Sequence, residues 1–305
     1  MKSNLFAPLK PLAAGSRVAL VAPSGFLSDP AHVERACANV TSLGWSPVLG
    51  ANVRAVHGYL AGTDEQRLAD FNLAVRDESI DAIWCVRGGY GAMRLLAGID
   101  YASLRTNPRP VIGFSDITAL HAAIHRECRI VSFHGPTARG QLSDISRDSL
   151  VRALSHQDSC GTAERGRVLR SGRAVGRLAG GNLALVASLM GTPYSVDFEG
   201  AILVLEDIDE AVYRVDRMLR QLVLSGALSR CVAIVAGDFR PPAGEKSIDG
   251  RTVDDVIAEA ADEAGIPCLA GAPFGHIADQ WTLPLGAVAE LDTSDMSLHV
   301  TRAAT

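Results

Sequence analysis

The sequence predicts an α/β protein of two domains with a parallel sheet in its first half, and three observations carry this. Short unbroken apolar runs such as "RVALVAPSG", "DAIWCV" and "RPVIGF" alternate with helix-like segments. Strands buried on both faces read as continuous apolar runs, and joining parallel neighbours takes a crossover helix. The 305 residues are 48% hydrophobic, enough for one large core or two ordinary ones. Composition also shifts between about residues 138 and 180, where "RGQLSDISRDS" and "SHQDSCGTAERGRVLRSGRAVGRLAGG" are polar and glycine-rich. That shift marks a boundary, dividing the chain into 1–142, a linker region 143–168 and 169–305.

The elements follow in order. "RVALVAPSG" reads as a buried strand ending in a turn. "DPAHVERACANVTSLG" reads as a helix with Asp29 as cap, Pro30 at its first position and Gly44 as its stop. "TDEQRLADFNLAVRD" is a second helix with a capping box from Thr63 to Gln66. "DAIWCV" is a strand, "GAMRLLAGI" a helix, "RPVIGF" a strand and "DITALHAAIHREC" a helix. Beyond the boundary come a helix "NLALVASLMG", a strand "AILVLEDI", an amphipathic helix "EAVYRVDRMLRQLVLSGAL", a strand "CVAIVAG", a helix "VDDVIAEAADEAG" and terminal strands "AVAELD" and "SLHVT".

Charge and cysteine usage exclude several classes. A net charge of −5 argues against binding a phosphate backbone, which calls for a basic patch. The opening apolar stretch is broken by Pro8, Pro11, Gly15 and Arg17, so no signal-peptide core forms, and no run approaches the roughly 18 apolar residues of a membrane helix. The six cysteines, Cys37, Cys85, Cys128, Cys160, Cys231 and Cys268, form no C-x-x-C pair and read as buried free thiols of a reducing cytoplasm.

"PVIGFSDITALHAA" sets Ser115 between a strand and a helix, the topology of a nucleophile elbow. Ile117 replaces the second glycine of G-x-S-x-G, and serine is also a favoured helix cap. A nucleophilic serine needs a base and an orienting carboxylate. His121 and His125 share a helix face, but no glutamate follows His121 and the zinc pattern H-E-x-x-H fails. His134 ends a strand and stays open as a base, whereas His276 sits on a loop holding Gly271, Pro273, Gly275 and Pro284, the usual setting of catalytic groups. Glu206 closes a buried strand, with Asp207, Asp209 and Glu210 after it. The loop "VRGGYGAMR" puts Arg94 where a dinucleotide fingerprint needs its third glycine, so it suits an oxyanion better than a cofactor. "GGNLALV" starts a helix with Asn182 as cap and its glycines packed tightly.

In this order, "VAPSG", "VRGGYGAMRLL", "IGFSDITAL", "GGNLALVASLMGTPY", "ILVLEDIDEAVYRVDRML" and "FGHIADQWTLPLGA" resemble the LD-carboxypeptidases of serine peptidase family S66, which include the murein tetrapeptide carboxypeptidases and the microcin C self-immunity peptidases. The resemblance implies an N-terminal parallel-sheet domain like that of class I glutamine amidotransferases and a C-terminal α/β domain with a mixed, partly barrel-like sheet. It also implies a triad of Ser115, Glu206 and His276, with backbone N–H groups of Asp116 and of Gly88 or Gly89 holding the oxyanion. The implied reaction removes D-Ala from a murein tetrapeptide or a UDP-linked muropeptide, in the cytoplasm, by a homodimer that needs no metal or cofactor. Arg87 and Arg240 are the candidates for meeting substrate carboxylates. Many family members carry a tryptophan where Ala179 and Gly180 stand here, which tilts the expected substrate from aminoacyl adenylates toward peptidoglycan. A non-catalytic binding protein on the same fold is the reading from a different class.

Overall fold

The computed structural model describes residues 6, 9–156, 160–244 and 250–300. The first half builds strands β1 (Arg17–Val21), β2 (Ser46–Leu49), β3 (Ala82–Cys85), β4 (Val111–Gly113) and β5 (Ser132–His134) with helices α1 (Ala31–Ser42), α2 (Asp64–Arg76), α3 (Tyr101–Thr106) and α4 (Thr118–Cys128). After these come α5 (Asp144–Val151), β6 (Cys160–Thr162), β7 (Arg167–Arg170), β8 (Arg173–Asn182), α6 (Leu183–Ser188), β9 (Ala201–Ile208), α7 (Val212–Leu224), β10 (Ala233–Arg240), α8 (Val253–Ala264), β11 (Cys268–Ala270), β12 (Leu283–Leu285), β13 (Val288–Asp292) and β14 (Ser297–Val300).

The strands form two sheets. The first runs β12-β5-β4-β3-β1-β2, parallel throughout except where β12 lies antiparallel on β5. Its central apolar strands bury Leu20, Ile83, Trp84 and Ile112 completely, as their unbroken hydrophobic runs require. The second sheet runs β6-β14-β13-β8-β9-β10-β11-β7, with β8 to β11 parallel and antiparallel pairings outside them. It is mixed and open, because its two edges, β6 and β7, do not pair with each other. β12, from late in the chain, edges the first sheet, so the two halves are interlocked.

Local chemistry accounts for the helices. α2 carries the full capping box, with Thr63 accepting from the Gln66 N–H and Gln66 reaching back to Thr63. Asp29 accepts from the Ala31 N–H at the start of α1, 2.9 Å away, and Asn182 caps α6 by accepting from Leu185 N–H. α7 turns Val215, Leu219 and Leu222 into the core and leaves Tyr213 outside, which settles the inner face of that amphipathic helix as core.

Two expectations are corrected. "GAMRLLAGI" is not one helix but two 3₁₀ turns, Ala92–Arg94 and Leu96–Gly98. Gly91, at φ +128°, opens it, and Arg94, Leu95 and Gly98 N–H bond the carbonyls three residues back, of Gly91, Ala92 and Leu95, so each piece is a single 3₁₀ turn too short for cooperative helix growth. The glycine-rich stretch "RAVGRLAGGN" is the ten-residue strand β8 rather than a polar connection, and α5 and β6 lie within 143–168. The glycines of β8 allow close approach: a Cβ on Gly176 would fall 2.5 Å from Gly200 O, and one on Gly180 2.2 Å from Val204 O.

His121 on α4 is a core residue and His125, one turn on, is half-buried. His121 Nε2 bonds Gly113 O at 2.8 Å and His125 Nε2 bonds Ser132 Oγ at 3.0 Å. Burial lowers their pKa values from 6.5 to about 4 and about 3. Both are therefore held neutral in the fold while the unfolded chain takes up protons below about 6.5. Their contribution to stability is complete above that pH and is lost as pH falls toward the folded values. Thermal midpoints should drop as pH is lowered from about 6.5 to about 4.5, and the His121→Gln/His125→Gln double variant should show a visibly flatter dependence. An unchanged slope in the double variant would assign the acid sensitivity to other groups.

Candidate active site

The turn after β4 presents Ser115 in an unusual conformation. Ser115 has φ +65°, in the left-handed region that a side chain adopts only at a cost of roughly 1–3 kcal/mol. A single 3₁₀ turn, Ser115–Ile117, leads from it into α4. The cap position falls to Phe114, and no side chain caps this turn, so the helix-capping reading of Ser115 does not hold. Strain without a capping bond fits a nucleophile elbow better than a helix cap.

The glycine loop after β3 closes on this elbow. A Cβ on Gly88 would lie 3.1 Å from both Phe114 O and Ser115 Cβ, and 3.3 Å from Ser115 Oγ. Gly88 is thus in contact with the serine, and Gly89, at φ +112°, turns the loop away. Gly88→Ala should lower kcat by roughly 10- to 100-fold with a thermal midpoint close to wild type, because a methyl there meets the serine rather than the core. Full activity in that variant would remove the loop from the site.

The residue after the serine does more than its backbone suggested. Asp116 is buried, and its Oδ2 accepts from Ser24 Oγ at 2.6 Å and from Ala92 N–H at 2.8 Å. Burial raises its pKa while these two donors oppose the shift. The carboxylate so ties the turn after β1 and the glycine loop to the elbow. Behind it the fully buried Arg67 donates to Pro23 O, to Gly91 O at 3.0 Å and to Asp64. Neither role was legible beforehand, since nothing in "GFSDIT" or "DEQRLAD" marks an internal partner.

Glu206 and His276 meet from the second sheet. Glu206, near the end of β9, is completely buried, and its Oε2 lies 2.7 Å from His276 Nδ1, whose side chain is 19% exposed. With Nδ1 engaged by a carboxylate, Nε2 is the nitrogen left for chemistry. The imidazole stands edge-on to Phe114, the residue before Ser115, with ring centroids 4.8 Å apart. Gly275, at φ +108°, makes the approach feasible, because a Cβ there would fall 2.9 Å from Glu206 Cβ. Arg240 Nη2 holds the same loop by donating to His276 O at 2.9 Å, and it also contacts Asp238 at 3.1 Å.

His134 lacks the carboxylate partner and the exposure that His276 has. It is buried between Phe114 and Phe274, neither ring nitrogen has a partner, and burial holds its pKa well below the ordinary range. Among the described residues no group of three or more His, Cys, Asp or Glu side chains could hold a metal ion.

A buried polar bridge joins the elbow to the second sheet. Asn182 N–H donates to Thr118 Oγ1 at 2.9 Å, and Asn182 Nδ2 donates to Asp207 Oδ1 at 2.9 Å. Ala184 N–H donates to the other Asp207 oxygen, also at 2.9 Å. Burial pushes Asp207 up to about 6, against these donors. A Cβ on Gly181 would lie 2.4 Å from Thr118 Oγ1, so the Gly-Gly-Asn stretch lets the elbow helix and β8 come together. Beside the His276 loop, Asp238, Phe239, Ile277, Ala278 and Trp281 line part of a cleft of about 990 Å³.

Comparison with known proteins identifies the family. Residues 18–135 match the model of the LD-carboxypeptidase N-terminal domain and residues 175–291 that of the C-terminal domain. The probable murein peptide carboxypeptidase of Bacillus subtilis is 36% identical over 296 residues, covering 94% of this chain and 92% of the relative. The murein tetrapeptide carboxypeptidase of Pseudomonas aeruginosa is 37% identical over 299 residues, covering 90% and 93%. Among solved structures, muramoyltetrapeptide carboxypeptidase from Oxalobacter formigenes superposes with a TM-score of 0.83 at 30% identity, covering 93% of this chain and 98% of that one. MccF in complex with glutamyl sulfamoyl guanosine gives 0.88 at 25% identity, covering 98% of each chain. The chain therefore belongs to the LD-carboxypeptidase family of serine peptidases, S66, and is a hydrolase of carboxypeptidase type.

Proposed function

We propose that this enzyme is a cytoplasmic, homodimeric L,D-carboxypeptidase that removes the terminal D-Ala from murein tetrapeptides through Ser115, His276 and Glu206. The observation that carries the reading is the 2.7 Å bond between the buried Glu206 and His276, whose ring stands edge-on to Phe114, the residue before the strained serine. Glu206 holds the proton of His276 on Nδ1, so Nε2 takes the Ser115 proton as the hydroxyl attacks the carbonyl of the L-centre. The oxyanion that forms is met by the Asp116 N–H and by an N–H of the Gly88–Gly89 loop, donors that are worth roughly 3–4 kcal/mol each in well-studied sites. The imidazolium then gives its proton to the departing D-Ala nitrogen. Water, activated by the same histidine, hydrolyses the acyl-enzyme.

A second reading has its own support, since the MccF complex with an acyl-nucleotide analogue shares this fold with a TM-score of 0.88. Against it, Ala179 is buried within β8 and Gly180 has no room for a side chain, so no aromatic at this point can face a nucleobase. Mass-spectrometric detection of D-Ala released from purified tetrapeptide tests the first reading, with an aminoacyl sulfamoyl adenylate assayed beside it. Release from the tetrapeptide and its loss in His276→Ala are expected. Turnover of the adenylate alone would transfer the assignment to the second reading. Turnover of neither, with Ser115 unlabelled by a fluorophosphonate, would favour a non-catalytic binding protein.

A further inference from the structure

We propose that Arg87, Arg139 and Arg35 form an anion subsite beside the nucleophile that takes a carboxylate of the substrate, so that the enzyme favours acidic peptides over their carboxamide counterparts. The peptide part of this rests on the function proposed above. The subsite starts one residue from the elbow. Gly88 touches Ser115, and the side chain of the preceding Arg87 lies against Gly25, where a Cβ would be 3.4 Å from its Cζ. Arg87 donates to Phe26 O and lies 5.8 Å from the centre of the Phe26 ring. A hollow lined by Gly25, Phe26, Tyr59, Arg87, Gly89 and Tyr90 opens on this side.

Hydrogen bonds set the segments that carry the other two arginines alongside. Arg139 N–H donates to Val86 O at 3.2 Å, so Arg139 runs alongside the segment that carries Arg87. On α1, His32, Arg35 and Asn39 recur at helical spacing and share a face. Asn39 Nδ2 grips Ala138 O at 2.7 Å and Gly140 O at 2.8 Å, which fastens that face of α1 across Arg139. The groups feel one another. Burial and then Arg87 and Arg35 hold the pKa of Arg139 down. Burial, Arg139, Arg35 and Arg87 do the same to His32, with Asp29 acting in the opposite sense.

This cluster is short of negative charge in a protein that has plenty. Among the described residues no carboxylate lies within salt-bridge distance of Arg35, Arg87 or Arg139, whereas the nearby Arg54, Arg67, Arg76 and Arg94 are all paired. His32 Nδ1 is also buried without a partner. Guanidiniums gathered without a counter-charge repel one another, and a half-buried one is poorly screened by water. A bound carboxylate relieves that repulsion and matches the guanidinium fork.

The test compares kcat/KM on L-Ala-D-Glu-meso-diaminopimelate-D-Ala with that on two analogues, one amidated at the free D-Glu carboxyl and one at the distal diaminopimelate carboxyl. Wild type should prefer the acid over one of the analogues by about tenfold or more. Arg139→Gln and Arg35→Gln should each shrink that preference, and Arg139→Lys should restore part of it. Equal losses on acid and amide in both variants would show a structural role and overturn the subsite. A second readout is independent of turnover: calorimetric binding of citrate should weaken by about tenfold in Arg139→Gln. Citrate binding that depends on Arg139, without tetrapeptide hydrolysis by wild type, would uphold the subsite and refute the substrate. Hydrolysis without any acid preference, or citrate binding indifferent to all three arginines, would refute the subsite and leave the function standing.

Discussion

Ser115→Ala should lower kcat on the tetrapeptide by about 10⁴-fold or more, with KM little changed. The serine oxygen forms the bond that breaks the peptide, so its loss removes the chemical step while leaving the groups that bind substrate. Ser115→Gly separates the two costs at this position. Glycine adopts φ +65° freely, so this variant should be as inactive as alanine yet more thermostable than wild type. Release of about 1 kcal/mol of strain would raise the midpoint by roughly 2 °C. Kinetics and thermal melts on the two variants check both statements together. Residual activity within tenfold of wild type in either variant would eliminate Ser115 as the nucleophile. A less stable glycine variant would mean that the elbow is not strained.

Glu206→Gln should cost about 10⁴ in kcat with the fold intact. Glu206 Oε2 accepts a hydrogen bond from His276 Nδ1, which puts the imidazole proton on that nitrogen and leaves Nε2 able to accept one from the serine. A glutamine amide can donate to Nδ1 instead, which selects the opposite tautomer and removes the base. The loss of a buried charge itself should not destabilise the protein, because Glu206 Oε1 has no partner in the fold and a neutral amide is cheaper to bury. A thermal midpoint equal to or above that of wild type is expected alongside the lost rate. A rate within tenfold of wild type would show that another group orients the histidine. Glu206→Gln failing to fold would make the carboxylate structural, and Glu206→Asp would then be expected to rescue stability before activity.

Much of the first sheet could be read directly, for a reason visible in its residues. "RVALV", "AIWC" and "VIG" are short apolar runs with helices between them, and a strand buried on both faces has no other composition open to it. The strand β8 was missed because two arginines and three glycines break both the apolar run and the alternation in "RAVGRLAGGN". Its glycines serve contacts with β9 and α4 that have no local signature. The turns at Ala92–Gly98 were read as helix because nothing in "GAMRLLAGI" separates the i→i−3 bonds made by Arg94, Leu95 and Gly98 from the i→i−4 ladder of a helix.

The site divides in the same way. Ser115 at a strand–helix junction, Glu206 at a strand end and His276 on a proline- and glycine-bounded loop were each suggested by their local setting, and the order of the surrounding motifs tied them together. By itself the sequence determined which residue types stand at those three junctions and which runs must be buried, because apolar burial and turn chemistry act over a few neighbouring residues. Only the tertiary structure decided that Glu206 reaches His276 across 70 positions and that His134 is a core residue. It also decided that the Asp116 carboxylate holds two loops, and that among the described residues Arg35, Arg87 and Arg139 have no carboxylate within salt-bridge distance. Those are pairings between segments remote in the chain, and hydrogen-bond reach and charge proximity exist only once the sheets have brought the segments together.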